Sequence, residues 1–420
     1  MSHIDDFMAG LQTLHPRLID LSLHRVYELL AKLGHPEQRL PPVIHVAGTN
    51  GKGSTCAFLR AMAEVAGMRV HVYTSPHLVR FNERIRVASE LVSDAALIQA
   101  LDHVARVNAG APITRFELIT ATAFHLFAQV PAELCILEVG MGGRCDATNV
   151  IREPAACAIT SISTDHQEFL GEHLQAIAAE KAGIIKPRTP VAMGSQLPEV
   201  CEVLLAHASC AGAPVRLRGR DWDVTVSPLR YCEGRAFIDL PAPSLPGTHQ
   251  ADNAGIAIAA LRAAGLGVGD RAIAAGIGLA EWPARLQRLQ GRLAATLPEG
   301  WELWLDGGHN PGAATALAHH LRGWQDRPIH ILVGMKQGKD SLGFLAQLIP
   351  YAVTLWAVAE PGQHEAMQVA AIIAASGGIA RPGGRVIQAL DAITRQRTPA
   401  RVLICGSLYL AGEVLKQDWP

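Results

Sequence analysis

The stretch His45-Val-Ala-Gly-Thr-Asn-Gly-Lys-Gly-Ser-Thr55 limits what this chain can fold into more than any other. An apolar run, Val43 to Ala47, breaks at Gly48 and enters a glycine-rich turn carrying Lys52 and the hydroxyl pair Ser54 and Thr55. A helical pattern follows from Thr55, with Phe58, Leu59, Met62 and Val65 on one face and Gly67 closing it. Buried strand, glycine turn, lysine, hydroxyl and helix together are the context of a phosphate-binding loop. Glycines let backbone N–H groups converge on phosphate oxygens without a Cβ in the way. The helix N-terminus adds partial positive charge. On this reading Gly48, Thr49, Asn50, Gly51, Lys52, Gly53, Ser54 and Thr55 form the nucleotide loop. Lys52 reaches the β/γ-phosphates and the Ser54 hydroxyl ligates Mg2+. The spacing departs from Gly-x-x-x-x-Gly-Lys-[Ser/Thr], because Gly53 separates the lysine from the hydroxyl. A glycine-rich turn that only caps a helix is the bland alternative.

The rest of the chain repeats the strand-to-helix rhythm. Strand-like runs recur at Arg69–Tyr73, Leu134–Val139, Ala156–Ile162 and Pro190–Met193, with helical segments between most of them. Strands alternating with helices mean βαβ units and a mostly parallel sheet. Residues 1–40 read as short helices, with an apolar face from Ile19 to Leu33 and a stop at Pro41-Pro42. From residue 215 to about 240, short alternating segments predict an antiparallel appendage. Helices follow at 251–264 and 270–280. Glu302–Leu305, Ile329–Val333, Thr354–Ala357 and Val402–Cys405 are further strands. The expected architecture is α/β: an N-terminal doubly wound, mostly parallel P-loop domain over 1–290 and a smaller Rossmann-like α/β domain over 291–420.

Strand exits of a parallel sheet open onto its ligand crevice, and several carry chemistry. Glu138 ends a buried run and is placed to hold the cation that Ser54 touches; an edge glutamate paired with Arg144 is the other reading. Asp165 and His166 follow another run as a candidate second ligand pair; imidazole is an unusual Mg2+ ligand, since Mg2+ prefers oxygen, and a lone exposed histidine is the bland alternative. Lys181 precedes Gly183 in a helical stretch and reads locally as a solvated lysine favouring a helix C-terminus. Asp306, His309 and Asn310 crowd one exit, with Pro311 suited to the first turn of the next helix. Ser407 follows the last strand.

Composition narrows the partners. The 37 Lys and Arg balance 38 Asp and Glu, so no basic excess points to nucleic acid or an anionic membrane. No apolar run approaches the ~20 residues needed to span a bilayer. The N-terminus lacks a basic flank and an apolar core, so no signal peptide is expected. The eight cysteines form no Cys-x-x-Cys pair, which suits a reduced cytoplasmic setting.

Taken together, the motifs resemble those of the Mur ligase superfamily in its folylpolyglutamate synthase branch. The matches run in order along essentially the whole chain: Gly48–Ser54, Thr74-Ser-Pro-His-Leu78, Phe81-Asn-Glu-Arg-Ile-Arg86, Glu138 through Asn149, Thr164-Asp-His166, Glu180-Lys-Ala-Gly-Ile184, Trp282-Pro-Ala-Arg-Leu-Gln287, Asp306 through Pro311 and Gly406-Ser407. The stretch Leu14 to Arg25 looks like the loop that holds dihydropteroate in the bacterial bifunctional dihydrofolate synthase/folylpolyglutamate synthases. The resemblance implies that Ser54, Glu138 and His166 ligate Mg2+. It implies that Lys181 is carbamylated and serves a second Mg2+, with a monovalent cation as a further ligand. It assigns Asn253 to adenine, Arg285 to the ATP phosphates, Asp306 and His309 to ATP and glutamate contacts, and Ser407 to the glutamate pocket. Lys52, Lys181, Arg285 and His309 become the catalytic set. Asp20, Leu21, Ser22, Ser75, Pro76, His77, Arg84, Phe116 and Phe124 become the substrate contacts. One departure is Ala284, where relatives often have glycine.

The implied activity is an ATP-dependent amide ligation of L-glutamate to 7,8-dihydropteroate and to the glutamate tail of reduced folates, through an acyl phosphate, in a cytoplasmic monomer. A monofunctional folylpolyglutamate synthase is the alternative. A Mur-type cell-wall ligase would carry an N-terminal UDP-binding domain, for which the position of the loop at residue 48 leaves no room. A guanine-specific switch would show Asn-Lys-x-Asp, and none occurs.

Overall fold

A computed structural model describes residues 22–395 and 398–419. Asp20, Leu21 and most of the stretch from Leu14 to Arg25 lie outside the described residues. The chain divides into two units. The first holds the described residues up to Ile162, Gln167–Ser244 and Ala251–Glu281; the second holds Ser163–His166, Leu245–Gln250 and Trp282 onward.

The first unit is built on eight strands: β1 (Val43–Ala47), β2 (Val70–Tyr73), β3 (Ile85–Val87), β4 (Glu90–Leu91), β5 (Leu134–Glu138), β6 (Ala156–Ile159), β7 (Val191–Met193) and β8 (Val215–Leu217). Their order is β4-β3-β2-β5-β1-β6-β7-β8. β1 lies between β5 and β6, parallel to both, with Val46 opposite Glu138 and Ala47 opposite Ile159. The exits of these three strands therefore meet at one place. The order reverses direction about β1, which is where a doubly wound sheet leaves its crevice. β1 and β5 are wholly buried, as strands covered by helices on both faces must be. One core gathers Leu29, Leu101, Leu118 and Phe124 on one side of the sheet. Another gathers Ile177, Ile184, Val200 and Leu204 on the other.

The helix after the glycine turn runs Lys52–Val65, starting earlier than its apolar periodicity suggests. Val65, expected on the buried face, is exposed, because burial ends at Ala63. Helix Asp270–Leu279 packs on it so closely that a Cβ on Gly276 would fall 2.5 Å from Met62 Cα. Val215 belongs to the main sheet, not to the appendage expected from that point. The appendage itself is a three-stranded antiparallel sheet, β9 (Asp223–Val226), β10 (Leu229–Glu233) and β11 (Ala236–Asp239).

The second unit carries β12 (Gln287–Leu289), β13 (Glu302–Leu305), β14 (Ile329–Val333), β15 (Thr354–Val358), β16 (Arg381–Gly384) and β17 (Arg401–Cys405), in the order β12-β13-β17-β14-β15-β16. All neighbours are parallel except the β12–β13 pair. The continuous part of this unit runs from Trp282 onward, where β12 hydrogen-bonds to β13 and adds an edge to the second sheet. All eight cysteines are free; Cys56, Cys135, Cys157 and Cys405 are buried. No helix among the described residues is long and apolar enough to cross a membrane.

Candidate active site

The phosphate loop is shaped by what presses on it. Gly48 has φ +150° and Gly51 φ +89°, conformations that L side chains rarely adopt. A Cβ on Gly48 would meet Thr160 Oγ1 at 1.8 Å, and one on Gly51 would meet Asn253 Oδ1 at 2.2 Å. The Thr49 and Asn50 N–H groups donate to the Ser161 carbonyl at 2.9 and 3.2 Å. The loop is thereby fastened to the exit of β6. Lys52 Nζ donates to the carbonyls of Gly48 and Thr49, both at 3.2 Å. Gly53, Ser54 and Thr55 form the first buried turn of the helix.

Lys181 corrects its local reading. Its side chain is buried, and Nζ donates to the Gly48 carbonyl at 2.9 Å. A lysine almost never goes under without a partner, and this one is drawn in by a carbonyl 133 positions away in sequence. Arg144, weighed as a partner for Glu138, pairs with Glu180 at 2.7 Å instead. Asn253 stands one turn into helix His249–Ala263 with its amide against Gly51.

Glu138 is buried at the end of β5, and its Oε2 accepts the Ser75 N–H at 3.1 Å. That bond brings Ser75 and Pro76 to the same strand exit. His77 accepts from Arg84 Nε at 2.9 Å, and both approach the Phe81 ring. Phe116 lies against Gly140, where a Cβ would fall 2.4 Å from its ring. Phe124, expected among the substrate contacts, is fully buried in the hydrophobic core with Leu101, Leu118 and Phe127. Ser22 is partly buried at the edge of the described residues.

Beneath this exit runs a buried relay. Thr148 Oγ1 donates to Asp146 Oδ1 at 2.6 Å, so it accepts from His45 Nε2 at 2.8 Å. That fixes the Nε2–H tautomer and leaves Nδ1 without a partner. Burial, helped by the nearby Lys186 charge, lowers His45 to about 3. Burial raises the Asp146 carboxyl against its hydrogen bonds to Thr148 and Met141.

Ser54 Oγ is buried with no hydrogen-bond partner, an orphan that a cation would satisfy. Among the described residues, no three or more His, Cys, Asp or Glu side chains gather to cage an ion. A hydroxyl at the head of the loop helix, with Glu138 ending the neighbouring strand, suits Mg2+, which keeps waters and takes phosphate oxygens rather than a full protein shell.

The second unit assembles its own cluster. Asp306 is buried at the end of β13; its Oδ2 accepts the Leu286 N–H at 2.8 Å and its Oδ1 the Gly308 N–H at 2.7 Å. These bonds hold the turn that displays Arg285, whose Nη1 donates to the Ala284 carbonyl at 2.9 Å. Burial raises the Asp306 carboxyl, opposed by the Arg285 charge. Ala284 has φ +57°, so the residue that departs from the family pattern sits where glycine carries no strain.

His309 Nδ1 is 2.9 Å from the Gly307 carbonyl and its Nε2 is 3.5 Å from Asp165 Oδ2. Asn310 Nδ2 donates to the same Oδ2 at 3.1 Å while its Oδ1 caps the helix that begins at Pro311. Lys339 Nζ donates to Asp165 Oδ1 at 2.5 Å and lies 3.5 Å from His166 Nε2. His166 itself has φ +52°. Burial would raise the Asp165 carboxyl, but the His309 hydrogen bond and the charges of His309, Lys339 and His166 hold it well below the carboxylate range. Ser407 is also buried; its hydroxyl caps helix Leu408–Asp418 through the N–H groups of Tyr409 and Leu410 at 3.1 and 3.4 Å. Gly406 N–H donates to the Gly308 carbonyl at 3.0 Å, so the two strand exits adjoin.

Asp165 as the hub, and Lys339 as its partner, escaped the sequence reading. The available signal was position: Lys339 follows the exit of β14, the neighbour of β17.

Residues 46–193 match the Mur ligase middle domain, and residues 292–417 match the C-terminal domain of dihydrofolate synthetase. The chain is 34% identical to the dihydrofolate synthase/folylpolyglutamate synthase of Escherichia coli, covering 99% of this chain and 95% of that one. A solved structure of Escherichia coli FolC with DHPP and ADP is similar at a TM-score of 0.88, with 33% identity over 99% of this chain and 97% of that one. A crystal structure of a bifunctional folylpolyglutamate synthase/dihydrofolate synthase with Mn, AMPPNP and L-glutamate bound gives 0.87, with 30% identity over 99% and 98%.

Proposed function

This chain belongs to the dihydrofolate synthase/folylpolyglutamate synthase family and is an ATP-dependent ligase, and from that premise we propose how it works and on what. It joins L-glutamate by an amide bond to 7,8-dihydropteroate and to the glutamate tail of reduced folates. The observation that supports the reading is a phosphate loop that carries a buried, partnerless Ser54 hydroxyl and whose Gly48 carbonyl accepts from the buried Lys181.

A carboxylate is a poor acyl donor because its leaving group would be oxide. Transfer of the ATP γ-phosphoryl group to it gives an acyl phosphate, and the glutamate amine then displaces phosphate through a tetrahedral intermediate. Catalysis of this kind is mostly positioning and charge neutralisation. Lys52, on a short tether of loop carbonyls, is the group that swings to the β/γ-phosphates. Arg285, whose turn Asp306 fixes, offsets phosphoryl charge. His309, bracketed by Gly307 and Asp165, orients glutamate, with Ser407 contributing its end of the pocket. Ser54, Glu138, His166 and Lys181 are the proposed holders of Mg2+, which when bound supplies charge neutralisation between the ATP and acceptor anions.

Carbamylation of Lys181, a second Mg2+, a monovalent cation, a monomeric state and a cytoplasmic location belong to the same proposal. Ser75, Pro76, His77, Arg84 and Phe116 are its pterin-side contacts, and residues 1–290 and 291–420 its two functional domains. The deciding experiment is phosphate release with ATP, Mg2+ and L-glutamate, comparing 7,8-dihydropteroate with tetrahydrofolate. Release with both, and one added glutamate by mass spectrometry, is the expected result. Release with tetrahydrofolate alone would leave the monofunctional reading. Release with neither would reject a folate acceptor.

A further inference from the structure

The three-stranded sheet and the connection leading to it carry none of the residues assigned to ATP, metal, glutamate or pterin. Arg218 stands in that connection, just past β8. Its Nη1 donates to Asp252 Oδ1 at 2.7 Å, its Nε to Asp223 Oδ1 at 3.0 Å and its Nη2 to the Val224 carbonyl at 3.3 Å. Its backbone N–H donates to the Met193 carbonyl at 3.0 Å. Through its guanidinium Arg218 thus joins the start of β9 to helix His249–Ala263, and through its backbone N–H it is held to the end of β7. Trp222 reinforces the joint. Its indole N–H donates to the Arg216 carbonyl at 3.0 Å and its ring stacks on Tyr231 at 5.8 Å. A Cβ on Gly255 would fall 2.4 Å from the indole, so the helix backbone lies directly on the ring.

The helix needs such a joint because its two faces meet different neighbours. Asp252 turns toward the exit of β7, where its Oδ2 would lie 3.3 Å from a Cβ on Gly194. Asn253, about 100° further round the helix, presses its amide against Gly51. A slip of one residue along the axis, about 1.5 Å, would drive that amide into the loop or withdraw it. The ion pair is not a loose surface contact: the side chains are 24% and 16% exposed. Removing one partner leaves a partly desolvated charge behind.

We propose that Arg218, acting through Asp252, is a positioning residue for the nucleotide: their ion pair sets the rotation and height of helix His249–Ala263, and with it the place of the Asn253 amide over the phosphate loop. This rests on the nucleotide reading of the loop and not on the pterin acceptor. The test uses the full chain with Asp252→Asn, Arg218→Met, Arg218→Lys and Asp223→Asn. It measures ADP affinity by calorimetry, KM for ATP, glutamate and acceptor, kcat, and the preference for ATP over GTP. Asp252→Asn and Arg218→Met are expected to weaken ADP binding and raise KM for ATP roughly tenfold, the size of one charge-assisted hydrogen bond. Glutamate KM and kcat stay as in wild type, and the ATP preference falls. Arg218→Lys recovers part of the loss, and Asp223→Asn, which removes only the exposed outer partner, changes nothing. Folded variants that bind ADP like wild type, or that lose every parameter alike, overturn the proposal. If Asp252→Asn does not fold, Arg218→Lys decides: wild-type affinity there also overturns it. A wild-type protein that binds ADP but turns over no pterin acceptor would reject the proposed function while leaving this inference testable by binding.

Discussion

Replacing Ser54 by alanine should make the protein more stable and nearly inactive, and the two effects have separate sources. Ser54 is 1% exposed and its hydroxyl has no hydrogen-bond partner. A buried polar group left unsatisfied costs about 1–3 kcal/mol. Alanine also gains about 0.5 kcal/mol of helix propensity over serine. Against this stands the small void left by one oxygen, about 1 kcal/mol at most. The balance favours the variant by about 1 kcal/mol, a rise of about 2–4 °C in the melting temperature of a unit this size. Turnover should nonetheless fall about a hundredfold, with a raised Mg2+ requirement, because the lost oxygen is the proposed cation ligand. Thermal melts without nucleotide and phosphate release across a Mg2+ titration measure the two arms. A variant destabilised by more than about 1 kcal/mol would mean the hydroxyl has a protein partner after all. One that keeps its turnover would falsify the ligand assignment.

Further outcomes follow from the same geometry. Gly51→Ala puts a Cβ 2.2 Å from Asn253 Oδ1 at φ +89°; it should lose about 2–4 kcal/mol in urea melts and bind ATP poorly. Ala284→Gly relieves a left-handed alanine at φ +57° and should gain about 0.5 kcal/mol once glycine's larger unfolded-state entropy is counted, leaving turnover intact. His45 is lowered from 6.5 to about 3, so the unfolded chain takes up a proton in that window and the folded one does not. Its contribution is complete above pH 6.5 and drains as pH falls toward 3, on the order of a few kcal/mol. Urea melts between pH 7 and 4 should show that slope flattened in His45→Gln.

Legibility in the sequence followed how local each determinant is. The phosphate loop could be read because strand, glycines and helix are consecutive. β1, β13 and β14 could be read as apolar runs. Lys181 could not be read locally as buried, because its acceptor is a carbonyl 133 residues earlier that only the parallel sheet brings near; family resemblance had to supply the role. Phe124 shows the opposite failure, an aromatic assigned to substrate that the core claims. β16 hides behind its composition, Arg-Pro-Gly-Gly, which suits only an edge strand, where a proline's missing N–H faces away from the ladder. Asp165 and Lys339 sit on separate exits, and nothing along the chain announces that they meet.

The buried thiols have a practical consequence. Cys56, Cys135 and Cys157 lie inside the first unit and Cys405 inside the second, and burial pushes all four well above the ordinary thiol range. Protonated and enclosed, they react with an alkylating reagent only when the surrounding strands open. A brief pulse of such a reagent, followed by peptide mapping, therefore clocks the opening of each unit separately, with no engineered label. Nucleotide that binds the first unit should slow the labelling of Cys56, at the head of the phosphate-loop helix, before it slows that of Cys405.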